Sequence, residues 1–252
     1  LIFLAQDNFG SRLPEGSVSA LTYGWWIMQV PQTLIGTSID TAILPTLSEM
    51  FSNQQFDAIK LKIERAARVM LTLTVPIAII AGMVLLPLIR SFLGLEESAT
   101  MRVVNVSQVF LLGIVGHSLV ELFVRSFYSL QKPRVPLLGS AFTLVVFVIL
   151  GIVLSPALEA FGIASANTIA YSLQAILLLV LLNKAVTSPF RLGGSLLKSL
   201  LAAGVGGAAA YAVISWAPRL AGTLIGAVAA FGVGVILAAL VLRKDLREIA
   251  EL

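Results

Sequence analysis

His117, Glu121 and Arg125 stand at i, i+4 and i+8 of an otherwise apolar stretch. A helix therefore places all three on one face, within reach of one another. Two chemistries suit this trio. In one, Arg125 or His117 meets an anionic ligand, to which a guanidinium is well matched, while Glu121 tunes it or exchanges a proton. In the other, Glu121 and Arg125 neutralise each other and Arg125 reaches towards the interface. His117 is the sole histidine, and a hydrogen-bonded packing role is expected for it rather than ligation. A second set, Thr22, Trp26, Gln29, Thr33, Thr37 and Asp40, recurs every three or four residues as a polar stripe down one helix. Pro31 and Pro45 are expected to bend or interrupt that helix. Polar groups in an apolar segment face a watered cavity or a neighbouring helix, and both readings stay open here. Asn167, Thr168, Ser172 and Gln174 are milder, and interhelical hydrogen bonding accounts for them.

The elements that carry these residues are set by composition. The chain is 58% hydrophobic and 12% charged, with a mean hydropathy of +0.97, too apolar for a soluble domain. A spanning helix needs about 20 apolar residues. Seven stretches qualify: about 18–47, 66–92, 103–130, 136–155, 163–182, 195–216 and 220–242. Residues 1–10 read as the end of an earlier span, and with no initiator Met or basic leader the chain reads as a fragment that begins inside a helix. Segment 55–68 has the spacing of an interfacial amphipathic helix, or else of a solvated connector. In the last two spans, small residues such as Ala203 and Gly207 predict a tight hairpin.

Charge gives the orientation. Under one alternating assignment, 13 of the 17 basic residues fall on one side, among them Lys60, Arg65, Arg68, Arg125, Lys132, Arg191 and Lys198, and four on the other: Arg12, Arg90, Arg102 and Arg219. Basic short loops are retained in the cytoplasm, so a multi-pass membrane protein with a cytoplasmic C-terminus is expected. The same bias explains the net charge of +4 as topology, and no nucleic-acid partner is expected. There is no cysteine, hence no disulfide, thiolate nucleophile or cysteine metal cluster. No phosphate-binding loop, HExxH motif or Ser/His/Asp arrangement stands out, and neither catalysis nor a bound metal is expected.

Two ordered segments carry a family resemblance. LPEGSVSALTYGWWIMQVPQTLIGTSIDTAILPTLSE, residues 13–49, resembles the segment of the MurJ/MviN family in which LP-x-GSVS precedes an M-x-x-P-x-x-x-x-G helix and an LP-x-LS turn. FVRSFYSLQKPRVP, 123–136, resembles a second, in which an Arg precedes a Phe-Tyr pair and a short Pro-containing loop. The likeness covers roughly residues 1–183. It implies an all-α, polytopic transmembrane bundle, the second lobe of a MATE-like transporter (1–183) followed by two additional helices (184–252). It also implies a partner, the missing N-terminal lobe of the same protein, and a polyprenyl diphosphate-linked glycan lipid as substrate, flipped by alternating access among membrane lipids. By position, Arg125 matches the family's Arg before Phe-Tyr, and Asp7 an acidic position near the end of the seventh helix. Where many members carry charges in the first-span helix, this chain has Trp25, Trp26 and Gln29. Asp40 replaces small apolar residues, and Glu121 stands where a basic residue is often found.

These readings converge on a lipid II flippase of cell-wall biosynthesis. Arg125, Gln29, Trp26, Thr33 and Thr37 are the candidate cavity residues. Asp40, Glu121 and Asp7 are the candidates for coupling to H⁺ or Na⁺, and no other cofactor is expected. A related exporter of another polyprenyl-linked saccharide or a drug, and a non-transporting scaffold whose cavity is filled by Trp25 and Trp26, remain the alternatives.

Overall fold

The computed structural model describes residues 2–186, 189–216 and 223–243, with side chains described throughout these except at 36–42. Every regular element among the described residues is an α-helix: α1 (Ile2–Gly10), α2 (Ser17–Ser52), α3 (Phe56–Leu93), α4 (Glu97–Ser129), α5 (Arg134–Ala185), α6 (Gly193–Trp216) and α7 (Leu224–Val241). Five of them, α3 to α7, are long and apolar enough to cross a membrane. Helix α2, with its Gln and Thr residues, is not among the five.

The expected pair of spans at 136–155 and 163–182 is one 52-residue element, α5, and the physical reason it still makes two passes is a reversal at Glu159. At 1.5 Å per residue an unbroken helix of this length would be more than twice the hydrocarbon thickness. Glu159 instead takes φ 50°, ψ −132°, which a side chain rarely adopts. The two limbs then run back along each other. A Cβ on Gly162 would collide with the Leu154 carbonyl, and one on Gly139 would stand 3.3 Å from Leu178 and 3.4 Å from Gln174. These pairings, 154 with 162 and 139 with 178, are those of an antiparallel hairpin. With α2 counted by its place in the chain, the seven stretches read from hydropathy each have their helix.

Helix α2 runs unbroken through both Pro31 and Pro45, so neither proline interrupts it. Its start is fixed by Gly16, whose φ of 84° a residue without a Cβ adopts at little cost. Beside it, Arg102 donates to the carbonyl of Glu15, tying the LPEG turn to α4.

Segment 55–68 is neither a separate interfacial helix nor a loose connector. It forms the opening turns of α3, with Ile59, Ile63, Ala66 and Ala67 buried in a cluster against Leu122, Phe123 and Phe127 of α4 and Leu178 and Leu182 of α5. Even Glu64 is buried there.

Helix α4 is the central post of the region up to residue 185, packed against α2, α3 and α5. Helix α3 links that region to α6 and α7. The last two helices do meet closely, as their small residues suggest, but the residues at the crossing are Gly206 and Gly234. A Cβ on Gly206 would be 2.6 Å from the Gly234 carbonyl oxygen, and one on Gly234 would be 2.8 Å from that of Gly206. Ala203 and Gly207 turn the other way, onto α3: Ala203 joins Leu71 and Val75, and Gly207 faces Ile79.

Candidate functional site

Helix α2 presents two faces of different chemistry. Leu21, Gly24, Met28, Gln32 and Ile35 follow at intervals of three or four residues and are buried. Gly24 permits the approach to α4, since a Cβ there would lie 2.9 Å from Val106 and 3.0 Å from Phe110. The opposite edge carries Thr22, Trp26, Gln29 and Thr33, half-buried or exposed. Four positions of the polar stripe thus point away from the helices packed behind α2. Thr22 hydrogen-bonds within its own helix, to the Val18 carbonyl at 2.9 Å. The side chains of Thr37 and Asp40 lie outside the described residues.

The two adjacent indoles separate. Trp25 packs inward, its ring edge-on to Phe3 (4.8 Å between centroids), His117 (5.3 Å) and Phe110 (5.9 Å). Trp26 is 60% exposed, supported edge-on by Tyr23 at 6.1 Å. Interior packing of both indoles, which would favour the scaffold alternative, is therefore not what the fold shows.

Behind the open face lies a polar node that joins three helices. Gln32 of α2 is buried, and its Nε2 donates to Glu121 Oε1 of α4 at 3.2 Å. Among the described residues the Oε1 of Gln32 has no hydrogen-bond partner. One turn earlier on α4, His117 is buried, with its Nε2 3.1 Å from Asn167 Oδ1 of α5. Its ring stacks on Tyr171 at 3.7 Å, and Glu121 is close enough to Tyr171 to act on it electrostatically. One turn later, Arg125 is half-buried. The expectation that His117 is a hydrogen-bonded packing residue agrees with this geometry, as does the interhelical role of Asn167. Thr168 plays a similar part, donating to the Val109 carbonyl at 3.0 Å.

Gln32 and Tyr171 escaped the sequence reading. A signal for each exists: Gln32 falls on the apolar face of α2, eight residues after Gly24, and Tyr171 follows Asn167 by one turn. Asp7, on α1, is exposed and lies outside the node. Among the described residues no group of acidic residues or histidine is arranged to hold a metal ion. The arrangement is thus an open polar face backed by interhelical hydrogen bonds, suited to contacting a large polar group without covalent chemistry.

Comparison with known proteins accords with this picture. The family described as Lipid II flippase MurJ matches residues 2–227. The probable lipid II flippase MurJ of Rhizobium meliloti is 28% identical over 178 residues, covering 69% of this chain and 33% of that protein. The lipid II flippase MurJ of Burkholderia cenocepacia is 24% identical over 187 residues, covering 73% and 36%. The chain thus spans about a third of the length of the curated relatives it matches. Among solved structures, a lipid II flippase MurJ in an inward closed conformation superposes with a TM-score of 0.78 at 20% identity, covering 97% of this chain and 51% of that one. A MOP superfamily transporter from Pyrococcus furiosus gives 0.64 at 14% identity, covering 97% and 61%. Those two likenesses are of fold. The sequence match runs through α1 to α6 and into α7, and includes the open face of α2 and the node behind it: by that match the chain belongs to the lipid II flippase MurJ family.

Proposed function

We propose that this chain supplies one side of the substrate cavity in a flippase for lipid II, a polyprenyl diphosphate-linked glycan, working by alternating access in the bacterial plasma membrane. The observation that carries the reading is the outward polar edge of α2. Trp26 is exposed and Gln29 half-buried on that edge, and polar groups at membrane depth are costly unless they meet another polar surface. A facing lobe and a watered path between the two would provide that surface, and a transporter cavity lies where such halves meet. Trp26 offers an apolar plane to a sugar ring, Gln29 and Thr33 offer hydrogen bonds, and Arg125, half-buried on α4, suits the diphosphate.

Glu121 is the proposed coupling residue for H⁺ or Na⁺, because it is an intramembrane carboxylate on α4 bonded to an α2 residue of the stripe-bearing helix. A change in its charge would alter the tie between the two helices. Converting it to Gln should leave the protein in the membrane and weaken the dependence of transport on the ion gradient. Unchanged gradient dependence would remove Glu121 from that role.

In this proposal the basic loops and the C-terminus face the cytoplasm, a reading supported by the uneven distribution of Lys and Arg. The absence of cysteine makes single-cysteine labelling straightforward: a cysteine at Lys132 should resist an impermeant maleimide applied from outside, and one at Arg102 should react. For the phosphate role, the intact protein carrying Arg125→Ala should support less surface-exposed lipid II in flippase-depleted bacteria than the unsubstituted protein does. Equal exposure at equal membrane level would take Arg125 out of the site.

A further inference from the structure

Helices α2 and α4 end in the same way. Phe51-Ser52-Asn53-Gln54 closes one and Tyr128-Ser129-Leu130-Gln131 the other, so each end has an aromatic residue, a serine and, two places on, a glutamine. In α2 the backbone amides of Gln54 and Gln55 return to the carbonyls of Phe51 and Met50, and in α4 those of Gln131 and Lys132 return to Tyr128 and Phe127. This is the paired bonding of a helix closed by a left-handed residue, a place usually given to glycine. Here Gln54 and Gln131 hold it, at φ 58° and 56°. Glycine would hold it at less cost, so the two amide side chains point to a use beyond the turn.

The two ends meet at one cavity of about 650 Å³. Phe51, Ser52 and Gln54 line it on one side and Tyr128, Ser129 and Gln131 on the other, with Ser48 and Phe56 completing the wall. None of these residues is charged, and the partial negative charge of two helix C-termini lies beside them, which disfavours a phosphate. Ser48, Ser52 and Ser129 already donate to carbonyls of their own helices, at 2.9, 2.7 and 2.8 Å, so each has oxygen lone pairs left for an incoming donor. Gln54 and Gln131 are both exposed, and an amide side chain both donates and accepts. Tyr128 is 51% and Phe56 41% exposed, and Phe56 stands edge-on to Phe51 at 5.9 Å. Flat apolar rings beside uncharged hydrogen-bonding groups suit a ligand with an apolar face and a rim of hydroxyl and amide groups. An N-acetylated sugar ring has that chemistry.

We propose that the paired ends of α2 and α4 form a saccharide site, which takes an N-acetylated sugar of the glycan lipid at the cytoplasmic mouth of the cavity. That the sugar belongs to the glycan lipid, and that this end faces the cytoplasm, rests on the function proposed above. On that reading Arg125 stands one turn of α4 before Ser129, about 6 Å along the helix axis, so a diphosphate at the guanidinium sets its first sugar beside this cavity. The headgroup is then divided, its charge at Arg125 and its ring at the helix ends.

The full-length protein in phosphatidylglycerol nanodiscs, free of glycoside detergent, is titrated with N,N′-diacetylchitobiose and followed by saturation-transfer NMR. Transfer to the acetyl methyl and ring protons is expected. Gln54→Gly with Gln131→Gly should weaken binding by about fivefold for each amide lost, while the unfolding temperature stays level or rises because glycine relieves both turns. Loss of contacts is thereby told apart from loss of fold. Tyr128→Ala should also weaken binding, whereas Tyr211→Ala, at an exposed position of α6, should not. An absence of saturation transfer, or equal affinity in the double glycine variant, would overturn the proposal. So would displacement of the sugar by equimolar tetramethylammonium, which would mark a cation site of aromatic rings and helix ends. Complementation by the same protein reads the flippase function separately. Restored surface lipid II without sugar binding removes the saccharide site alone, and sugar binding without restoration supports the site while removing the flippase reading.

Discussion

Gln32 and Glu121 are 89 residues apart in sequence and share the hydrogen bond that fastens α2 to α4. Replacing Gln32 by Leu removes that donor and leaves the carboxylate to find water or another partner. Polar contacts between membrane helices contribute about 1 kcal/mol, so thermal unfolding in detergent should fall by a few degrees. In a double-mutant cycle with Glu121→Gln the two losses should be smaller together than their sum. Strict additivity would mean that the pair does not interact. Glu159 offers the opposite sign. Its φ of 50° and ψ of −132° cost about 1–3 kcal/mol for a residue with a side chain. Glu159→Gly should therefore raise the unfolding temperature, and a fall would show that the carboxylate has a stabilising contact at the hairpin. The legibility of the site in the sequence follows the same physics. The outward positions of α2 could be read because polar residues at helical spacing in an apolar run are rare and regular. Gln32 leaves a fainter signal, because a single amide on an apolar face breaks that face without forming a pattern. Tyr171 was hidden by its amphipathic character, since a phenol is ordinary on either face of a membrane helix.

Among the elements, helix existence was legible and helix termination was not. Hydropathy marks any run of apolar residues long enough to cross, and α3 to α7 each overlap a stretch it marked, although α3 starts ten residues earlier than expected. It could not show that 55–68 continues into α3, because the polar residues there suggest a surface segment while the burial of Glu64 depends on Lys60 and Arg68 beside it. Nor could it show how little backbone separates the two limbs of α5. The close crossing of α6 and α7 was expected from small residues, but many of them are spaced for it, and only the partner helices decide that Gly206 and Gly234 make the crossing. Gly206→Val would drive its side chain into the backbone of α7, where a Cβ alone stands 2.6 Å from a carbonyl oxygen. Forced overpacking costs about 1–3 kcal/mol, so the variant should lower the unfolding temperature and raise protease sensitivity between α6 and α7. Gly204→Val, where a Cβ meets nothing within 4 Å, should do neither. Identical behaviour of the two variants would refute the assigned crossing.

In the whole molecule, α4 and its hydrogen-bonded neighbours stand behind α2, which turns Trp26 and Gln29 outward. The proposed function makes that edge one wall of a cavity shared with a second lobe. The measurement that tests this most directly is complementation by the full-length protein in bacteria depleted of their own flippase, scored by surface-accessible lipid II. The account predicts restored exposure, lost when Gln29→Leu and Thr33→Leu are combined on the open edge, with membrane levels unchanged. Full activity in that apolar variant, or no restoration by a protein that reaches the membrane, would contradict it.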